Sequence, residues 1–182
     1  GLKTLYDLCK IESEPTTYDL GYKLGPRINA GGRVGKSSHG AELLISNDPQ
    51  KAFQIAIDLD KSNLERRSIE SILSDQINGE VKKFHNHPVL VISGKGWHEG
   101  VIGIVAARIK DKYQKPTILI SLNKNIGKGS ARSIVGFDIG CEVIKAVQKK
   151  VLEKGGGHKM AAGFTIKEEN ISFFRDTLIK SF

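Results

Sequence analysis

Sulfur and indole are scarce: the chain has two cysteines, one methionine and one tryptophan in 182 residues. Cys9 and Cys141 stand far apart and match no metal-type spacing, which excludes a zinc knuckle or a disulfide-stapled scaffold and predicts buried thiols in a reducing cytosol. No apolar run approaches the length of a membrane span. No charged-then-apolar leader precedes the first amphipathic pattern, Leu2, Leu5, Tyr6 and Leu8. A cytoplasmic protein without membrane contact is therefore expected. Because the chain opens on Gly1, it is expected to be a piece of a longer protein. There is no internal repeat and no low-complexity segment.

Acidic residues are outnumbered. Lys and Arg total 28 against 20 Asp and Glu, a net charge of +8. Such a balance favours acidic partners, nucleic acid first among them. From Arg108 to Arg132 there are Lys110, Lys112, Lys115, Lys124 and Lys128 as well, against Asp111 alone. That run is either a local binding patch or a solvated face, and composition does not choose.

The periodicities predict mainly helix in residues 1–85 and a compact α/β domain in 86–182. Residues 2–12 form a short helix. Residues 25–37, GPRINAGGRVGKS, are glycine-rich and polar, hence a loop, and Ser37 or Ser38 caps a helix through Ile45. Asp48-Pro49 opens a long helix ending near Gly79, with Phe53, Ala56, Ile57, Ile69, Ile72, Leu73 and Ile77 on its apolar face. Asp58, Asp60 and Glu65 suit surface ion pairs with Lys61, Arg66 and Arg67 on the same helix. Val89–Ser93 and Thr117–Leu122 read as buried strands around a helix over 99–112, a βαβ unit with parallel strands. A hairpin turn at Asn123–Asn125 leads to a third strand, about 127–134. Asp138 caps a helix to about Leu152, Gly155–His158 breaks the chain, and Ala161–Ile166 is a fourth strand before a closing helix. The expected architecture is α/β, a mixed, mostly parallel sheet flanked by helices and preceded by a long connector helix.

Three polar corners concentrate glycine with cationic side chains: Arg27–Arg33, Lys128–Ser133 and Gly155–His158. Glycine lets backbone approach a ligand and exposes amides to anions. Arginine adds a fork matched to phosphate oxygens, and histidine can donate to a phosphate. Each corner alone is as well explained by a turn with incidental charge. A fourth candidate, Gly94–Gly100, brings Trp97 and His98 to a helix N-terminus; Trp97 packed at the sheet edge is the plain alternative. Ala30–Ser37, AGGRVGKS, imitates a phosphate-binding loop, but Ala30 stands where glycine is required and no strand precedes it. His85-Asn86-His87 reads as a hydrated loop.

Taken together, LGPRINAGGR (24–33), WHEGVIGIVAARI (97–109), KGSARS (128–133) and GGGHKMAAGF (155–164) resemble the RecJ branch of the DHH phosphoesterases, the later blocks its DHHA1 domain. The resemblance implies the DHHA1 portion of a 5′→3′ single-stranded-DNA exonuclease of repair and recombination. It matches Asn29 and Arg33 to a loop that reaches the 5′-terminal phosphate. It matches Ser130 and Arg132 to the end nucleotide, and Gly155, Gly156, Gly157 and catalytic His158 to the scissile phosphate. His98 is a further substrate contact. No Asp-His-His triplet occurs. Manganese or magnesium is accordingly expected in a missing DHH lobe of the same polypeptide, and no metal ligand is assigned here. Partners implied are single-stranded DNA with a 5′ end, a helicase and a single-strand-binding protein. Two alternatives stay open: the DHHA1 part of a nanoRNase or phospho-nucleotide phosphatase, and a non-catalytic nucleic-acid-binding module.

Overall fold

The computed structural model describes residues 1–182. The chain forms two compact units, Gly1–Ile69 and Glu70–Phe182. The expected division stood at residue 85/86; the boundary between the compact units falls inside the long helix.

The first unit is helical. It contains α1 (Leu2–Leu8), a π-helical segment Asp19–Leu24, α2 (Gly25–Val34), α3 (His39–Ile45) and the first part of α4 (Pro49–Val81). Asp48 caps α4 by accepting from the amides of Gln50 and Lys51 at 2.9 and 3.3 Å. Leu5, Leu24, Leu43, Ala52, Ile55, Ala56 and Leu59 make the core. Of the expected inward face of α4, Ala56, Leu73 and Ile77 are buried, whereas Phe53 and Ile72 are exposed and Ala52, Ile55 and Leu59 take inward positions instead. Residues 25–34 are helix rather than loop. Pro26 suits the first turn, and tertiary packing overrides the low helix propensity of the glycines: a Cβ on Gly31 would meet Lys36 O at 2.7 Å and Leu59 Cδ2 at 3.1 Å. Asp60 is also reassigned. It accepts from Arg27 Nε at 2.7 Å instead of pairing along its own helix.

The second unit is a five-stranded sheet in the order β1-β2-β3-β5-β4. The strands are β1 (Leu90–Lys95), β2 (Thr117–Asn123), β3 (Ile126–Arg132), β4 (Leu152–His158) and β5 (Ala161–Lys167). The β1–β2 pair is parallel, joined by α5 (Glu99–Tyr113) as a βαβ unit. The other three pairs are antiparallel, so the sheet is mixed but mostly antiparallel. The reason is connection length: Lys124-Asn125 and Lys159-Met160 leave room only for hairpins.

Five strands replace the four expected because Gly155–His158 is strand, not turn. Its glycines serve close approach: a Cβ on Gly155 would meet Phe164 Cβ and Val143 Cγ1 at 2.8 Å. One sheet face packs on α6 (Ile139–Gln148) and α7 (Ile171–Ser181), where Ile118, Ile120, Ile139, Val143, Phe164, Ile166, Phe174 and Leu178 form the core. Phe164 and Phe174 meet edge-on at 5.1 Å, an arrangement that adds about 0.5–1.5 kcal/mol to their burial. Asp138 caps α6, as expected, by accepting from Cys141 N at 3.0 Å. Both cysteines are free; Cys9 is half-buried and Cys141 exposed rather than both buried. No helix is long and apolar enough to cross a membrane.

Candidate nucleic-acid interface

Strand pairing fixes which side chains share a face, because alternate residues point to opposite sides. Three rows result on the face opposite the core. The first carries His158, Ala161, Arg132 and Thr117; the second Gly156, Gly163, Ser130 and Leu119; the third Lys154, Thr165, Lys128 and Ser121. Helix α5 covers the β2 and β3 side of this face, where Gly103 comes up against the side chains of Ser130 and Arg132. Beyond it the surface is open: Gly156, Gly163, Lys154 and His158 are exposed, and Lys128, Ser130 and Arg132 half-buried. A shallow trough therefore runs along β5. Its floor is Ala161, Gly163 and Thr165, and its walls are the cationic and hydroxyl side chains of β3 and β4. The walls stand roughly 10 Å apart, two strand spacings. No carboxylate belongs to the three rows.

Arg132 is held in place. Its Nη1 donates to Ser130 Oγ at 3.2 Å and to Ala131 O at 2.8 Å, so a guanidinium fork is pre-oriented beside a hydroxyl. Such a pair suits a phosphate or a sugar-phosphate end. His158 lies across β5 in the same row. Its Nδ1 makes only a long contact, 3.4 Å, with the Met160 amide. A cavity of about 470 Å³ opens beside it at the outer edge of the sheet, lined also by Gly157, Lys159, Gly140 and Cys141. β4 is an edge strand, so its amides that face β5 serve the ladder and only the outward ones remain for a ligand. This differs from a glycine turn, in which successive amides converge.

The remaining expected residues fall elsewhere. Asn29 and Arg33 sit four residues apart on α2, both with side chains reaching its outer surface, and so share one helix face. They belong to the first unit, and the phosphate-loop likeness of Ala30–Ser37 is lost because most of it is helix. His98 caps α5, its Nδ1 accepting from Gly100 N at 3.1 Å. It lines a cavity of about 620 Å³ with Trp97, Glu99 and Ser121, and Ser121 is the register partner of Lys128. Trp97 takes the plain structural role as well: its ring lies over Gly94, where a Cβ would be 2.2 Å from Cε2.

The run of cations from Arg108 to Arg132 does not make one patch. Arg108 pairs with buried Glu70, Lys110 with Asp111, and Lys112 with Asn78 Oδ1. Lys115 donates to the carbonyls of His85 and His87. Only Lys128 and Arg132 reach the trough. Lys154 and Thr165 also belong there, and sequence reasoning passed over them because Gly155–His158 was read as a break. The signal was present: Leu152–His158 and Ala161–Lys167 flank a two-residue connection, the spacing of a hairpin. Nowhere do three or more His, Cys, Asp or Glu side chains gather. The residues present do not fit a metal centre.

A family model for the DHHA1 domain matches residues 86–182. Among curated relatives, the single-stranded-DNA-specific exonuclease RecJ of Haemophilus influenzae is 39% identical over 168 residues, 88% of this chain and 29% of the relative. The Bacillus subtilis RecJ is 35% identical over 182 residues, 98% of this chain and 23% of the relative. The crystal structure of RecJ from Thermus thermophilus in complex with Mn2+ superposes with a TM-score of 0.87 at 25% identity, covering 99% of this chain and 26% of that one. The chain spans less than a third of the length of these proteins. The family model covers more than half of the chain, so the chain belongs to the DHHA1 domain family and is homologous to the DHHA1 region of RecJ exonucleases.

Proposed function

We propose that this chain is the strand-gripping portion of a RecJ-like 5′→3′ single-stranded-DNA exonuclease acting in repair and recombination. The observation that carries the reading is the open trough in which Arg132 and His158 stand on either side of Ala161, with Ser130 in the next row, without an opposing carboxylate. Arg132 and Ser130 hold the nucleotide end, and Asn29 and Arg33 on α2 are a phosphate-binding pair of the first unit taken by itself. His158 stands nearest the bond to be cut. Hydrolysis itself needs ions that activate water and steady the leaving oxygen. This reading assigns manganese or magnesium to a DHH lobe outside the chain.

Names of relatives support single-stranded DNA as the ligand over a dinucleotide or a tRNA. The test is to mix the chain with 5′-labelled single-stranded DNA, a dinucleotide and tRNA, with manganese present. Binding of the DNA strand without nucleotide release is expected. Robust release abolished by a chelator, or preference for tRNA, contradicts the assignment.

A further inference from the structure

We propose that the trough holds more than one phosphate, with Lys128 and Lys154 forming a second phosphate station beyond Arg132, so that the ligand is an oligonucleotide rather than a mono- or dinucleotide. The inference rests on the reading that this face grips nucleic acid, and it names the size of what is gripped.

Lys128 and Lys154 are both register partners of Thr165, one from each wall. Arg132 and His158 are likewise both partners of Ala161. The two cationic rows are four residues apart along the strands, about 13 Å at the rise of an extended chain. Arg132 is held by Ser130 and Ala131 and Lys128 by Thr165 in its own row, so the two rows offer separate contacts to successive phosphates. Between them the floor is Gly163 and Gly156, both exposed, and Gly156 has nothing within 4 Å of where a Cβ would stand. A continuous backbone can therefore lie from one row to the other without a side chain in its way.

Lys128 is positioned for its role by donating to Thr165 Oγ1 at 3.1 Å, which leaves its other two protons for an anion. Lys154 is exposed at the start of the regular register. Glu153, the neighbouring carboxylate, lies at the register shift between Leu152 and Lys154 and outside the paired rows. The third row also runs toward the cavity of Trp97 and His98 through Ser121, giving an unpaired base somewhere to go.

The experiment measures affinity of the 182-residue chain for a 5′-phosphorylated dinucleotide and for an octanucleotide at several salt concentrations. Lys154→Gln is expected to weaken the octanucleotide about two- to five-fold, as for an exposed ion pair. It should make the log–log salt slope shallower by about 0.7 and leave the dinucleotide unchanged. Lys128→Gln should act in the same direction with an unaltered melting temperature. Lys180→Gln, an equal charge loss on α7 behind the sheet, should change neither ligand. If Lys154→Gln behaves like Lys180→Gln, or if the octanucleotide binds no better than the dinucleotide, the second station is wrong while end-gripping by Arg132 stands. If the unaltered chain binds neither ligand, both readings fall.

Discussion

Gly103 of α5 and Ser130 of β3 are so close that a Cβ on the glycine would lie 2.8 Å from the serine Oγ, and 3.1 Å from Arg132 Nη2. The helix thus fixes the two side chains proposed to hold the nucleotide end. Gly103→Ala should raise helix propensity by up to about 1 kcal/mol while pushing the hydroxyl and the guanidinium aside. Melting temperature should hold and affinity for single-stranded DNA should fall several-fold. A variant that binds normally would show that the Ser130–Arg132 pair is not the grip.

Two adjacent glycines separate fold from function. A Cβ on Gly157 would sit 2.4 Å from Ala161 O and 2.5 Å from Ala162 Cα, backbone that has no room to move, whereas Gly156 faces open trough. Gly157→Ala should destabilise the second unit by about 1–3 kcal/mol, the usual cost of overpacking. Gly156→Ala should fold as well as the parent or slightly better yet bind strands less tightly, because its methyl stands on the path. Denaturant midpoints and affinities on both variants check this; equal stability of the pair contradicts the register.

His158 is exposed and its ring makes one long contact, so a structural role in capping a turn is small. His158→Ala should change stability by no more than about 0.5 kcal/mol. A larger loss, seen in a melting curve, would return His158 to a structural part.

How far the sequence reached depends on what each glycine is for. The βαβ unit was legible because Val89–Ser93 and Thr117–Leu122 are apolar runs bounded by proline and glycine, and local signals suffice there. Residues 25–34 and 155–158 were not, because high glycine content reads as loop or turn whenever its neighbours in space are unknown. Gly31 is small to admit Leu59, and Gly155 to admit Phe164 and Val143; such long-range contacts leave no local mark. The candidate residues Ser130, Arg132 and His158 come from motifs. That Arg132 and His158 share a row, with Ser130 in the next, needed the register, which also brought in Lys154 and Thr165.

Asp19 gives a pH signature in the first unit. Hydrogen bonding from Lys23, then from the Thr16 side chain and amide, pulls its carboxyl from an ordinary 3.8 down to about 2. Folding therefore favours the ionised form. Its contribution is complete above the unfolded value of 3.8 and disappears as pH falls towards 2. The stability gap between the parent and Asp19→Asn should be constant at neutral pH and close progressively below about pH 4. A gap that stays constant into acid would mean the carboxylate is not held by these donors.

The most direct test of the central claim, that the open face of β3, β5 and β4 receives the strand, is to titrate 5′-phosphorylated single-stranded DNA into the isotope-labelled chain and follow its backbone amides by NMR. Amides of Ser130, Arg132, Gly156, His158 and Gly163 should shift together with one apparent affinity, and those of α6 and α7 facing the core should stay still. Shifts confined to the α6–α7 side, or absent from β3 and β4 while DNA binds, would contradict it.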